Sequence, residues 1–302
     1  MPAPFRDRLV GTILGGAVGN ALGMPVEGLS HQNVRTYYKG IKDLRADEKR
    51  GDLEAGQWTA DVQRARALTR ALTAGAPDSP DEVQAAFASA LEDVGALRRG
   101  DVASPSSAGA AMAGPFGVQA RLRGLADLAT ARWAAMLLRD IDPHPVAAVA
   151  TAAQTASLRT CLGKDPAALS GRQILSAARS AALDAERLLG ASDSVSARLS
   201  GLEGHLGEFP LDLQDLCNGT GPAADEAFPF AVAMVARSPA LVESTMLSAV
   251  NVGGDAASVG ACVGALLGAL HGVDALPARW LDALEDADAI RAEAEALVDA
   301  LG

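Results

Sequence analysis

The chain has 302 residues and carries 37 acidic against 26 basic side chains, a net charge of −11. It has no basic stripe, which argues against a nucleic-acid partner. Apolar residues make up 49% and aromatic ones only 4%, so the core must be built from Ala, Val and Leu on closely packed helices. Three widely spaced cysteines, Cys161, Cys217 and Cys262, fit neither a disulfide framework nor a zinc site, and each reads as a small buried hydrophobe.

The opening MPAPFRDR has no apolar signal core. The longest uncharged runs fall short of the roughly 20 residues a membrane span needs, and Asn20 interrupts the first of them. The expectation is a soluble cytoplasmic protein with no membrane partner. Phe5 to Gly23 reads as a helix with Gly11, Gly15, Gly19 and Gly23 every fourth residue, along one ridge. Pro25 lies just beyond its end, and Glu27 on the exit turn. Residues 28–57 lack helical periodicity and read as a long loop. It carries Arg35, Tyr37, Tyr38, Lys39 and Lys42, either as a solvated loop pinned by its tyrosines or as a flap bringing cations to an acidic rim.

Trp58-Thr59-Ala60-Asp61 opens a helix running to Ala74, with Thr59 as cap and Asp61 at the positive end of the dipole. Ser79-Pro80-Asp81-Glu82 starts a helix to about Arg98. A loop over 101–107 leads through Gly109 and Met112 into another apolar helical stretch. Asp142-Pro-His-Pro145 is a turn before a helix to about Cys161, and Ser170 with Gln173 is a capping box for a helix to Leu189. Residues 190–222 read as short helices and loops, and Ser238-Pro239 starts a helix leading to Asn251.

Gly253-Gly254 signals a loop, with Asp255 at an N-cap or first-turn position and Ser258 on the same face three residues later. Gly260, Gly264, Gly268 and Gly272 then repeat the spacing of the first helix. A glycine in a helix is disfavoured by about 1 kcal/mol relative to alanine, a loss that close packing must offset. The two ladders are therefore predicted to cross in the middle of the fold. The tail from Glu285 to Leu301 reads as an outer helix. No stretch alternates as a strand and no linker divides the chain. The fold class is all-α, a single compact many-helix domain over residues 1–302.

Four segments resemble motifs of the ADP-ribosylglycohydrolase family. Residues 15–27, GGAVGNALGMPVE, are similar to the opening GxAxGDALGxPxE, and Trp58-Thr59-Ala60-Asp61-Val62 to WTDDT. Gly109 to Met112 is similar to GAAMR, and residues 251–258, NVGGDAAS, to NxGGDTDT; ALLGALHG and LPARWLDAL continue the match. The resemblance runs in order from about Phe5 to Leu284. It implies hydrolysis of an N- or O-ribosyl bond in ADP-ribose or a related ribosylated compound, with a small-molecule or ADP-ribosylated substrate as partner.

The family holds two magnesium or manganese ions with four aspartates and two hydroxyls. The resemblance carries Thr59, Asp61, Asp255 and Ser258 over as ligands, but places Ala60 and Ala257 where two carboxylates are expected and Val62 where a hydroxyl is. Unit charges about 4 Å apart interact by about 4 kcal/mol at an effective dielectric near 20, so losing two carboxylates weighs heavily on a metal pair. The expectation is at most one Mg²⁺ or Mn²⁺ per chain, with none as the alternative. Glu27, Asp61 and Asp255 are the expected catalytic residues. Asn20, Ser106, Ser107, Gly109, Met112, Gly253 and Gly254 are the expected substrate contacts, with Ala113 in place of the motif's arginine. His144 is either the remnant of a substrate-holding segment or a surface residue. A competing reading is a non-catalytic descendant serving as a nucleotide-binding or protein-interaction module.

Overall fold

Among the described residues, proline and glycine punctuation cuts the chain into sixteen α-helices, and only three isolated bridges and no strand occur. The structure is a computed structural model and describes residues 3–47, 51, 53–74, 79–93 and 104–302. Helix α1 spans Phe5–Gly23 and gives way to a 3-10 turn at Met24–Val26, opened by Pro25. A single turn, α2 (His31–Asn33), then runs into a π-helical turn over Val34–Tyr38. Residues 28–57 are thus not wholly irregular, which corrects the sequence expectation. Two side chains explain why. Ser30 Oγ accepts from Asn33 N at 3.3 Å, and the Asn251 amide clamps the exit by accepting from Ile41 N at 2.6 Å and donating to Ile41 O at 2.9 Å. Both contacts are short-range caps or tertiary clamps that hydrophobic periodicity does not register.

Helix α3 (Ala60–Thr73) starts beneath the Thr59 cap, and α4 (Pro80–Asp93) opens at Ser79–Pro80. The predicted continuation of α4 to Arg98 and the start of the loop over 101–103 lie outside the described residues. There follow α5 (Ala108–Ala111), α6 (Gly114–Leu122), α7 (Asp127–Leu137), α8 (Pro145–Gly163) and α9 (Gly171–Leu189), the last under the Ser170/Gln173 capping box. The broken region holds α10 (Ser194–Gly201) and α11 (Pro210–Leu216). Then come α12 (Ala224–Arg237), α13 (Val242–Val250), α14 (Ala256–His271), α15 (Ala278–Ala283) and α16 (Ala287–Leu301). Helix α13 begins beyond Ser238–Pro239, not at it.

The most extensive helix pairing is that of α1 with α14. A methyl built on Gly19 would sit 1.9 Å from the Gly260 carbonyl oxygen, and one on Gly264 would sit 2.0 Å from the Gly15 oxygen. The backbones therefore touch, as the two ladders predicted. Around this pair α12 and α13 flank α14, while α8 packs beneath it against α9. Arg8 is buried at the far end, donating to Ala269 O at 2.8 Å and to the Cys161 and Lys164 carbonyls. A cation there offsets the negative carbonyl ends of α14 and α8. Helix α16 packs on α1 and α3 and buries Ile290, Ala294 and Leu297, and Glu293 ties it to Arg66 at 3.0 Å and Arg70 at 2.7 Å on α3.

All three cysteines are buried and free, in keeping with a packing role. Among the described residues one helical segment, Phe5–Val26, is long and apolar enough to cross a membrane, longer than the uncharged run of the sequence predicts. The difference is the charged first turn, which the helix includes and the run does not. In this fold 89% of its apolar window is buried, as close packing against α14 requires.

Candidate functional site

The upper end of the crossed pair is where two helix starts and the exit of α1 meet. Thr59 caps α3, its Oγ1 accepting from Asp61 N at 3.3 Å. The loop before α14 is held by Thr220, whose carbonyl accepts from Asp255 N at 2.6 Å and whose hydroxyl donates to Gly253 O at 3.1 Å. Gly253 and Gly254 both have positive φ, +85° and +73°, and a side chain on either would strike the Leu29 or Thr220 carbonyl. Only glycine suits that double turn. Gly28 N donates to Gly254 O at 2.7 Å and Gly254 N to Leu29 O at 2.8 Å, so the exit of α1 is laced to the start of α14.

This scaffold brings Glu27, Asp61 and Asp255 into one cluster. Glu27 Oε2 accepts from Ala257 N at 2.7 Å, inside the first turn of α14. Asp61 and Asp255 are both buried. Asp61 Oδ2 accepts from Ser258 Oγ at 2.8 Å, and Oδ1 from Arg64 Nη1 at 2.9 Å. Asp255 Oδ2 accepts from the Ser107 hydroxyl. Burial, then the neighbouring Asp255, pushes the Glu27 carboxyl up to about 8, while the Ala257 amide pulls the other way. Burial also raises Asp61; the Arg64 guanidinium opposes that rise and Asp255 adds to it. Burial and the two nearby carboxylates thus favour the protonated form of Glu27.

The predicted site residues divide into two groups. Glu27, Thr59, Asp61, Asp255, Ser258 and Ser107 converge. The others are engaged within the fold. Asn20 is fully buried, with its amide donating to Thr59 Oγ1 at 2.9 Å and Ala257 O at 3.3 Å and accepting from Thr59 N at 2.7 Å; it splices the two helix starts together. The Ser106 amide and hydroxyl both donate to Asp142 Oδ2, at 2.6 and 2.7 Å. Gly109 is pressed against Thr151 and Leu138, and Met112 is in the core. The Gly253 amide donates to Val250 O at 3.1 Å, and the Gly254 amide is engaged by Leu29, so neither points freely at a ligand. His144 Nδ1 accepts from Val146 N at 3.2 Å and caps α8. In the long segment before Trp58, Tyr38 is pinned by its hydroxyl to Asp47 while Tyr37 is exposed.

Arg64 is the residue that sequence reasoning missed. It lies three positions after Asp61 on α3, the spacing at which helical side chains pair. The guanidinium is largely buried, and its Nε has no partner among the described residues. Ser107, expected as a substrate contact, donates its hydroxyl to Asp255.

The family model for ADP-ribosylglycohydrolases matches residues 1–302. A solved structure of an ADP-ribosylglycohydrolase-related protein complex aligns with a TM-score of 0.76 at 26% identity, covering 99% of each chain. A protein of Archaeoglobus fulgidus with no described activity is 43% identical over 68 residues; that match spans 22% of this chain and 22% of the relative's length. With a family match along its whole length and a shared fold, this chain belongs to the ADP-ribosylglycohydrolase family.

Proposed function

We propose that the Glu27 cluster hydrolyses an N- or O-ribosyl bond in ADP-ribose or a related ribosylated compound. The observation that carries this reading is the convergence of Glu27, Asp61 and Asp255 from three separate segments, with Glu27 raised to about 8. In its anionic form Glu27 takes a proton from water attacking C1 of the ribose, while the C1–N or C1–O bond breaks and the departing nitrogen or oxygen takes up a proton from solvent. The negative charge of Asp61 and Asp255 favours the oxocarbenium-like transition state that such a step passes through.

The donor set does not suit two divalent ions. Three carboxylates and one guanidinium sum to −3 + 1 = −2 when all are ionised, against four positive charges. Both Asp61 oxygens and one Asp255 oxygen already accept hydrogen bonds, and Ala60 and Ala257 contribute no oxygen from their side chains. A single Mg²⁺ or Mn²⁺ is the most that this donor set would hold. The second reading, a non-catalytic nucleotide-binding or protein-interaction module, is favoured by Arg64, which neutralises Asp61 inside the cluster.

Chromatography of ADP-ribose released from ADP-ribosyl-arginine and from O-acyl-ADP-ribose distinguishes the two. The protein is incubated with chelator and with Mg²⁺, alongside Glu27→Gln. Release above background by the unaltered protein and its loss in Glu27→Gln support hydrolysis. Binding of ADP-ribose by calorimetry without any release favours the binding module. Rates that are the same in Glu27→Gln remove Glu27 from the mechanism.

A further inference from the structure

A second concave surface lies across the 251–255 loop from the Glu27 cluster. It is an open groove of about 1130 Å³ between the Val34–Tyr38 turn with the loop after it on one side and the starts of α11 and α13 on the other. One wall carries Arg35, Lys39 and Lys42, all exposed and none with an ion-pair partner among the described residues. The opposite wall carries Phe209, Leu211 and Leu241, which are 72%, 40% and 56% exposed. Half of the six large hydrophobic residues exposed on the described surface therefore sit in this one groove. Glu243 also lines it, but Arg279 bridges Glu243 to Asp43 and offsets one of their two charges, leaving the three cations in excess.

Cations clustered on an acidic chain of net charge −11 are a local reversal of sign. They attract an anionic partner to one place and leave the rest of the surface to repel it. The apolar wall requires that the partner also bring hydrophobic side chains, because exposed groups of this size gain free energy only when covered. The groove exceeds the roughly 300–1,000 Å³ typical of small-molecule sites. A second copy of this chain carries the same large negative charge and is the poorer match.

We propose that this groove docks an acidic peptide segment of another protein, with Asp and Glu side chains along the cationic wall and Leu or Phe side chains against Phe209, Leu211 and Leu241. The inference does not rest on hydrolysis at Glu27.

The probe is a fluorescein-labelled synthetic peptide rich in Asp and Glu with Leu and Phe between them, followed by fluorescence anisotropy. Two control peptides replace its acids by Lys or its apolar residues by Ser. Saturable binding is expected for the acidic apolar peptide alone. It should weaken at least about tenfold in Lys39→Glu/Lys42→Glu and in Leu241→Ser, and weaken as salt is raised. Thermal melts check that both variants remain folded; all these positions are exposed. Absence of saturable binding, or equal affinity for the charge-reversed variant, overturns the proposal. Sedimentation velocity supplies a further arm: a concentration-dependent dimer abolished by Leu241→Ser would make the groove a self-interface. Binding of phosphatidylserine vesicles but not of the peptide would assign it to a membrane surface.

Discussion

Asp61 and Arg64 form an ion pair of 2.9 Å one helical turn apart, inside the carboxylate cluster. Family motifs lead one to expect metal charge here; the chain supplies a guanidinium of its own. Its partner oxygen is thereby occupied, and the cluster's excess negative charge falls by one.

Arg64→Met should leave Asp61 buried without its counter-charge. Breaking a buried pair from one side costs about 3–5 kcal/mol, and this pair, not fully sealed, should fall near the lower end. Urea unfolding measures the loss. The same variant frees an Asp61 oxygen, so Mg²⁺ titrated by calorimetry should bind more tightly than to the unaltered protein. A variant with unchanged stability and unchanged Mg²⁺ affinity would mean that Arg64 is a bystander.

Glu27 gives a pH signature. Its carboxyl rises from an ordinary 4.5 to about 8 in the fold. Between those values the native state holds a proton that the unfolded chain has lost, so stability falls as pH rises through the window and levels above it. The total is on the order of a few kcal/mol. Asp61 shifts in the same direction, so the comparison with Glu27→Gln isolates the Glu27 part. Melting temperatures of the unaltered protein should decline towards pH 8 with a steeper slope than those of Glu27→Gln. If Glu27 acts as base, kcat/KM should climb over the same range and flatten above about pH 8; parallel melting curves for the two proteins would deny the buried proton.

Much of this was legible in the sequence, and the exceptions have definite causes. The glycine ladders of α1 and α14 could be matched because a four-residue period has a single geometric meaning on a helix. Glu27, Asp61, Asp255 and Ser258 could be placed by motif. Arg64 was equally visible, at i+3 from Asp61, but charge pairs of that spacing occur on many helices and carry no mark of being buried. The Ser107–Asp255 contact depends on the chain path from Ser106 over Pro222 and Ala223, held by Ser107 N to Pro222 O at 3.0 Å, and no local pattern encodes it. Asn20 and the two glycine amides looked like ligand contacts because they lie in motifs. The fold uses them to join helix ends.

Close packing of the ladders predicts a sharp contrast between Gly19, on the ladder, and Gly16, beside it. Gly19→Ala would place a methyl 1.9 Å from the Gly260 oxygen, backbone against backbone, so the helices must separate. The expected loss is about 3 kcal/mol, the upper part of the range for overpacked cores. Gly16→Ala meets its nearest atoms at 3.6 Å, ordinary contact, and should be neutral or stabilising by up to about 1 kcal/mol through helix propensity. Chemical denaturation of the two variants tests this. Equal effects would show that the crossing tolerates adjustment.

Restoring the two missing carboxylates tests the depleted character of the site. Ala60 is the exposed first residue of α3, so an aspartate there gains from the helix dipole and should be nearly neutral by itself. Ala257 is only 2% exposed, and its amide already holds Glu27 at 2.7 Å. An aspartate there enters a cluster of like charges with little water to screen them. Ala257→Asp should therefore lower the melting temperature in chelator more than Ala60→Asp, and the double variant more than either. Mg²⁺ should reverse that loss in the double variant, because an ion that binds the native state alone stabilises it by mass action. Calorimetry should then count a second ion, whereas the unaltered protein takes up at most one and hydrolyses ADP-ribosyl-arginine poorly. Two ions bound tightly by the unaltered protein would mean that oxygens from residues other than positions 60 and 257 complete the shell. Arg64 would then have to swing away from Asp61, and ordinary family hydrolysis would become the better description of this chain.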